Sequence, residues 1–302
     1  MNHRLSFAAW LACALILFGV TLASPRFLRP ATEATLAWDV SGYYLYLPAI
    51  FIYKDLKQVK FLPGILEKYT PSFAPDQAYP CAAGGNQVMK YPAGMAVLYL
   101  PFFLLAHLLA SVLGYPADGF SLPYQVCIHL GSVLVAVLGL WFLRKNLLHF
   151  FSDRTAGIVL ALVALGTNFF NYATFDAAMP HVYLFALLAL LIHFTIRIHA
   201  GQKGDTSKSG FLEEKKFHFF SSKKPDFEVS PLGWGNFLGI GFCIGMAALV
   251  RPTEVIFALV PLLWNVTDWQ AKWRLLAQNL PKIAAAALLV GSIGFLQLAY
   301  WK

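Results

Sequence analysis

The hydrophobic residues of this chain are gathered into long runs that are separated by shorter polar segments. Most runs have the length, roughly 17–25 residues, that an α-helix needs to cross the hydrocarbon core of a bilayer. The runs cover residues 6–24, 93–113, 122–143, 155–175, 181–198, 234–250, 252–266 and 281–299. This pattern predicts an all-α fold, a polytopic bundle of transmembrane helices that forms one domain over residues 1–302.

Composition supports the same class. The chain is 58% hydrophobic and 13% charged, which is more apolar surface than one soluble core can bury. Its net charge of +8 does not indicate nucleic-acid binding, because the basic residues cluster between the apolar runs, as topology requires. We expect a multi-pass integral protein of the plasma (inner) membrane, surrounded by lipid and without a nucleic-acid partner.

The first run admits two interpretations. The basic start and the small residues near Ala23 and Ser24 fit a signal peptide, but the run is long for one and further spans follow. We expect an uncleaved first span over residues 6–24. Residues 25–92 then form a long outer loop, whose aromatic segment 41–56 predicts interfacial helices that Pro48 prevents from being straight.

The distribution of Lys and Arg sets the expected topology. If every run crossed, Arg144, Lys145, Arg154 and the lysines of the linker 199–233 would lie outside, against the bias of basic residues toward cytoplasmic loops. The conflict disappears if residues 93–113, which contain Pro101, are re-entrant or interfacial. The segments 144–154, 199–233 and 267–280 then become cytoplasmic.

This topology brings five polar residues to the outer face. They are Asp39, Lys90, Asp176, His181 and Arg251. Asp39 is a candidate general base for an attacking hydroxyl or amine, and Lys90 and Arg251 are candidates to bind a phosphate. Asp176 and His181 are candidate substrate-binding residues. Asp39 and Asp176 could also hold a divalent cation, with His181 nearby.

Each candidate also has a purely structural interpretation. Asp39 could cap the helix that follows it, and Asp176 with His181 could be a polar turn before a span. Arg251 could be an interface anchor. His129 and His193, inside apolar runs, are expected to pack between helices, and the glycosylation pattern at 265–267 falls on the predicted cytoplasmic side.

Taken together, these residues resemble a known superfamily. The pattern resembles that of GT-C membrane glycosyltransferases. Its elements are an acidic residue just after span one, a Lys-Tyr-Pro entry at 90–92, a second acid at 176 and a Gly-rich span that ends in Arg-Pro-Thr at 251–253. The closest likeness is to the protein O-mannosyltransferase and aminoarabinose transferase type. Val40 departs from the mannosyltransferase branch, which has a second acid there.

The resemblance implies an inverting transfer of a sugar from a polyprenyl-phosphate carrier to an acceptor on the outer face, with Asp39 as the base. It also implies that the chain is an N-terminal fragment, since members continue through more spans. The alternative is a transporter or flippase of lipid-linked substrates, which typically places ionisable residues near the bilayer midplane.

Overall fold

The computed structural model describes residues 3–72, 77–81, 85–200, 233–264, 266 and 269–301. In order along the chain, the helices are α1 (Arg4–Ala23), α2 (Trp38–Tyr44), α3 (Tyr46–Phe51), α4 (Leu62–Tyr69), α5 (Gly94–Val112), α6 (Leu122–Phe150), α7 (Asp153–Gly166), α8 (Phe169–Thr174), α9 (Pro180–Ala200), α10 (Trp234–Val250), α11 (Leu259–Leu263), α12 (Trp269–Gln278) and α13 (Leu280–Trp301). Short 3-10 helices cover Arg26–Leu28, Ala31–Glu33 and Pro252–Ala258. One antiparallel pair of strands, β1 (Ala78–Pro80) and β2 (Gln87–Met89), lies in the first loop.

The structure is a helical bundle, as the apolar pattern predicted. Within the described residues, five helices, α1, α5, α6, α9 and α13, are long and apolar enough to cross a membrane, as expected of an integral membrane protein. Four of them coincide with the predicted runs 6–24, 122–143, 181–198 and 281–299. In the first loop, the predicted aromatic segment forms two short helices, α2 and α3, that meet at Leu45.

Helix α1 is packed into the bundle at its N-terminus. The carboxylate of Asp153 accepts hydrogen bonds from the backbone N–H groups of Leu5 and Ser6, at 2.9 and 3.1 Å. These bonds satisfy two of the amides that a helix N-terminus leaves unpaired. The Trp10 indole donates to the carbonyl of Val137 on α6 at 3.0 Å. These contacts attach α1 to α6 and to the start of α7.

The bundle has two distinct ends. Arg144, near the C-terminus of α6, donates to the Ser6 hydroxyl at 2.9 Å and to the His3 carbonyl at 3.0 Å, so α6 runs antiparallel to α1. His129, nearer the start of α6, contacts the Thr35 hydroxyl beyond the other end of α1. We call the end that holds the C-terminus of α1 the upper end, and the end that holds its N-terminus the lower end.

Both ends of α5 lie at the upper end of the bundle. Gly94, its first residue, packs against Leu249 and Val250 at the C-terminus of α10. The segment after α5 contacts the first loop, since Asp118 pairs with Lys68 of α4 at 2.8 Å. Helix α6 is about 43 Å long at 1.5 Å per residue, and α5 packs beside its first turns, where Phe102 contacts Gly131.

The helix α5 is continuous through Pro101, so a re-entrant segment that turns back within 93–113 does not match the structure. A proline inside a helix removes one hydrogen bond, which kinks a helix without necessarily ending it. Helix α5 is also long and apolar enough to cross a membrane, so an interfacial position of residues 93–113 stays a prediction.

Two predicted runs are divided rather than continuous. The run 155–175 breaks after Gly166, where Thr167 adopts an extended conformation and its hydroxyl accepts from the Phe169 amide. The run 252–266 starts as a 3-10 helix and continues as α11. The run 234–250 forms α10 with the same bounds. The linker residues 201–232 and most of the pattern 265–267 lie outside the described residues.

Candidate functional site

Asp39 lies in the first turn of α2, but it does not cap the helix. The N-cap residue is Ala37, and Trp38 enters the helix with a φ of 51° while its amide donates to the Pro71 carbonyl at 2.9 Å. The Asp39 side chain is 49% exposed, and its carboxylate lies 3.9 Å from the Lys90 ammonium. The capping interpretation is therefore wrong, and the carboxylate faces a cation and solvent.

Lys90 is held in place by the segment around it. The amide of Met89 donates to the Tyr300 hydroxyl at 3.0 Å, and the amide of Ala93 donates to the Gln297 side chain at 2.7 Å. The Tyr46 hydroxyl donates to the Tyr91 carbonyl at 2.7 Å. The last turns of α13 therefore fix the backbone on both sides of Lys90.

Tyr43 connects α2 to Arg251. Its ring stacks on Tyr91 with 4.1 Å between the ring centres, and the charge of Arg251 acts on its hydroxyl. Burial raises the pKa of the Tyr43 hydroxyl, although the Arg251 charge acts in the opposite direction. Tyr43 is one helical turn after Asp39, so the same short helix carries the carboxylate and the contact to Arg251.

Asp176 forms an ion pair with Arg26, which lies two residues after the first apolar run. The side-chain amide of Asn171 donates a hydrogen bond to the other carboxylate oxygen of Asp176 at 2.9 Å. Arg26 also donates to the Glu33 carbonyl at 3.1 Å. The pair therefore connects the first loop to the short link between α8 and α9.

His181 is the second residue of α9, and its ring stacks on Tyr172 with 3.9 Å between the ring centres. The charges of Arg251 and Asp176 both act on its imidazole. His129, by contrast, is a buried packing residue. Its ring nitrogens contact the Thr35 hydroxyl at 3.0 Å and the Thr174 carbonyl at 2.8 Å. His193 is also buried and packs against Phe142, so the packing prediction for both histidines is confirmed.

A cavity of about 240 Å³ joins these groups at the upper end of the bundle. Its walls come from the first loop, α6, and the segment 172–179. Residues with polar side chains on its wall are Arg26, Thr35, Asp39, His129, Tyr172 and Asp176. Asp39 and Asp176 therefore share one cavity. Lys90 and His181 lie beside it, because Lys90 faces Asp39 and His181 stacks on Tyr172. The charge of Arg251 acts on Tyr43 and His181, neither of which lines the cavity.

The two carboxylates do not suit a divalent cation. Both oxygens of Asp176 are engaged, one by Arg26 and one by Asn171, while Asp39 faces an ammonium group. Among the described residues, no group of three or more His, Cys, Asp or Glu side chains could hold a metal ion. The predicted cation site between Asp39 and Asp176 does not fit the residues present. Each carboxylate has one cation beside it, Arg26 at Asp176 and Lys90 at Asp39.

Sequence reasoning missed four residues of this site. Arg26, Tyr43 and Asn171 contact the predicted residues directly, and Gln297 positions the segment of Lys90. Arg26 had a usable signal, since it follows Pro25 at the end of the first run on the same loop as Asp39. Gln297 is a polar residue near the end of the apolar run 281–299, and polar side chains are uncommon in a membrane-length helix.

Comparison of the chain with known protein families, with curated proteins and with solved structures found no match in any of the three.

Proposed function

We propose that the protein is a membrane glycosyltransferase that moves a sugar from a polyprenyl-phosphate carrier to an acceptor. The observation that carries the proposal is a half-exposed carboxylate, Asp39, on the wall of a cavity that also holds Arg26, with Lys90 at 3.9 Å. This combination of a base and clustered cations suits an attack that expels a phosphate. The resemblance of the chain to GT-C enzymes agrees with it.

In the proposed reaction, Asp39 accepts the proton of an acceptor hydroxyl or amine. The acceptor atom forms a bond to the anomeric carbon, and the bond from that carbon to the phosphate oxygen breaks, so that the electron pair leaves with the phosphate. The configuration inverts because attack and departure occur on opposite faces of the sugar. Lys90, Arg26 and Arg251 provide the positive charge that stabilises the leaving phosphate.

The carrier also needs an apolar surface for its polyprenyl tail. Leu104, Leu105 and Leu108 on α5 are exposed, and both ends of that helix lie at the same end of the bundle as the cavity. We infer that α5 lies in the outer membrane interface and that the tail approaches along it. Basic residues at the lower end, Arg144 and Lys145, favour that end as cytoplasmic and the cavity as outward-facing, in a plasma (inner) membrane.

The test is the substitution Asp39→Asn, which preserves shape but removes the base. The full chain is reconstituted in liposomes with a panel of radiolabelled polyprenyl-phosphate sugars, and loss of labelled donor is measured. General-base catalysis contributes roughly 10²–10⁴-fold to a rate, so we expect a loss of that order. Glu33→Gln is the matched control, since Glu33 is an exposed acid of the same loop that pairs with Arg29 at 3.5 Å.

An Asp39→Asn variant that consumes donor at the native rate would contradict the role of Asp39. If the native chain moves labelled carrier between leaflets without releasing any sugar, the transporter or flippase alternative replaces the glycosyltransferase.

A further inference from the structure

The helix α12 lies at the lower end of the bundle, opposite the candidate site. The ammonium group of Lys272 contacts the His199 ring at 3.1 Å and donates to the Pro261 carbonyl at 2.9 Å. His199 belongs to the last turn of α9, which runs away from the cavity. Helix α12 therefore closes the lower end between α11 and the start of α13.

The side chains of α12 fall on three separate faces, because successive residues of a helix are rotated by about 100°. Lys272, Leu275 and the following Asn279 are buried against the bundle. A second face carries Trp269, Trp273 and Ala277, and Leu280 continues it. A third face carries Gln270, Arg274 and Gln278.

The second face is apolar yet uncovered by the described residues. Trp269, Trp273 and Leu280 are 58%, 65% and 63% exposed, respectively. Two tryptophans one turn apart expose a large apolar area, which proteins seldom leave in water. The adjoining third face is polar, its one charge is Arg274, and α12 contains no acidic residue.

A third tryptophan, Trp234, lies at the same level of the bundle as α12. The helices α10 and α13 run parallel, with Gly241 against Ala286 and Gly245 against Val290, so Trp234 at the start of α10 is level with Asn279. Trp234 is also exposed. Tryptophans gather where a bilayer meets water, since the indole has an apolar body and one hydrogen-bond donor.

We propose that α12 lies in the membrane–water boundary at the lower end of the bundle. Trp269 and Trp273 enter the lipid, the third face meets water, and Arg274 contacts anionic lipid headgroups. A lipid surface fits better than a protein partner because the apolar face continues into Leu280, the first residue of the membrane-length helix α13. This assignment does not depend on the proposed function.

The experiment measures how deeply the tryptophans lie. The full chain is reconstituted in vesicles of phosphatidylcholine and phosphatidylglycerol that carry bromine either near the lipid carbonyls or near the chain ends. The variant Trp269→Phe/Trp273→Phe removes two of the eight tryptophans, so the fluorescence difference between the native chain and this variant comes from these two residues. A second variant adds Gln278→Trp to that double substitution and places one tryptophan on the polar face. Far-ultraviolet circular dichroism checks that each variant retains the native helix content.

We expect the fluorescence that the double substitution removes to be quenched strongly by shallow bromine and weakly by deep bromine. The fluorescence that the added tryptophan at position 278 contributes, measured against the double variant, should be quenched by aqueous acrylamide and not by lipid bromine. If the fluorescence removed by the double substitution is not quenched by shallow bromine, the two tryptophans are not in lipid. If Trp269 and Trp273 respond to acrylamide alone, or position 278 responds to bromine as strongly as they do, the proposed orientation is wrong.

Discussion

The contact between α5 and α10 provides a sharp test of how the upper end is assembled. Gly94 starts α5 four residues after Lys90, and its missing side chain lets the two backbones approach closely. A Cβ placed on Gly94 would lie 2.4 Å from the Val250 nitrogen and 2.5 Å from the Leu249 carbonyl carbon. Both are backbone atoms, so they cannot rotate away as a side chain can. The substitution Gly94→Ala must therefore move α5 away from α10.

The size of the effect follows from these distances. Ordinary van der Waals contact begins near 3.4 Å, so the helices must separate by roughly 1 Å. Overpacking of this kind costs about 1–3 kcal/mol. On the scale of soluble domains, that corresponds to a fall in Tm of roughly 2–12 °C. Alanine has a higher helix propensity than glycine, so any destabilisation must come from the contact between α5 and α10.

Thermal unfolding in detergent, followed by intrinsic fluorescence, measures the shift. Gly291→Ala is the matched control, because Gly291 lies inside α13 and a Cβ placed on it would have no atom within 4 Å. We expect this control to keep or raise the apparent Tm. If Gly94→Ala is as stable as the control, α5 does not pack on α10 as described.

Two further outcomes follow from hydrogen bonds at the upper end. Gln297→Leu leaves the backbone amide of Ala93 without its acceptor, so we expect a loss of about 1–3 kcal/mol in stability. We also expect weaker binding of the sugar donor, because Lys90 shifts. The control Ser292→Ala removes only a hydrogen bond within α13 and should change neither quantity. Burial acts to raise the pKa of Asp118, but hydrogen bonds from Lys68 and Tyr69 outweigh it and hold the pKa below its usual value. A carboxyl group with a lowered folded pKa stabilises the protein at neutral pH, and this contribution disappears as the pH falls below about 4. Asp118→Asn should therefore lower the apparent Tm at pH 7 and flatten its decline in acid; an unchanged pH profile would contradict this reasoning.

The positions of most helices could be predicted from the sequence because a membrane span needs a long apolar run. The run 234–250 became α10 with unchanged bounds, and Pro48 indicated that the interfacial segment could not be one straight helix. The break after Gly166 could not be predicted, since Thr167 ends α7 through its own local hydrogen bonds inside an apolar run.

The sequence alone determined the class of fold and the presence of Asp39 just beyond the first span, because hydropathy is a property of single residues and of their spacing. The tertiary structure decided which charges meet. Arg26 and Asp176 are 150 residues apart, and Gln297 supports Ala93 across 204 residues. Such pairs depend on helix directions and on the distance of approach between helices, which only the packed bundle sets. For the same reason, only the structure distinguished a capping role for Asp39 from a carboxylate that faces Lys90 at the cavity.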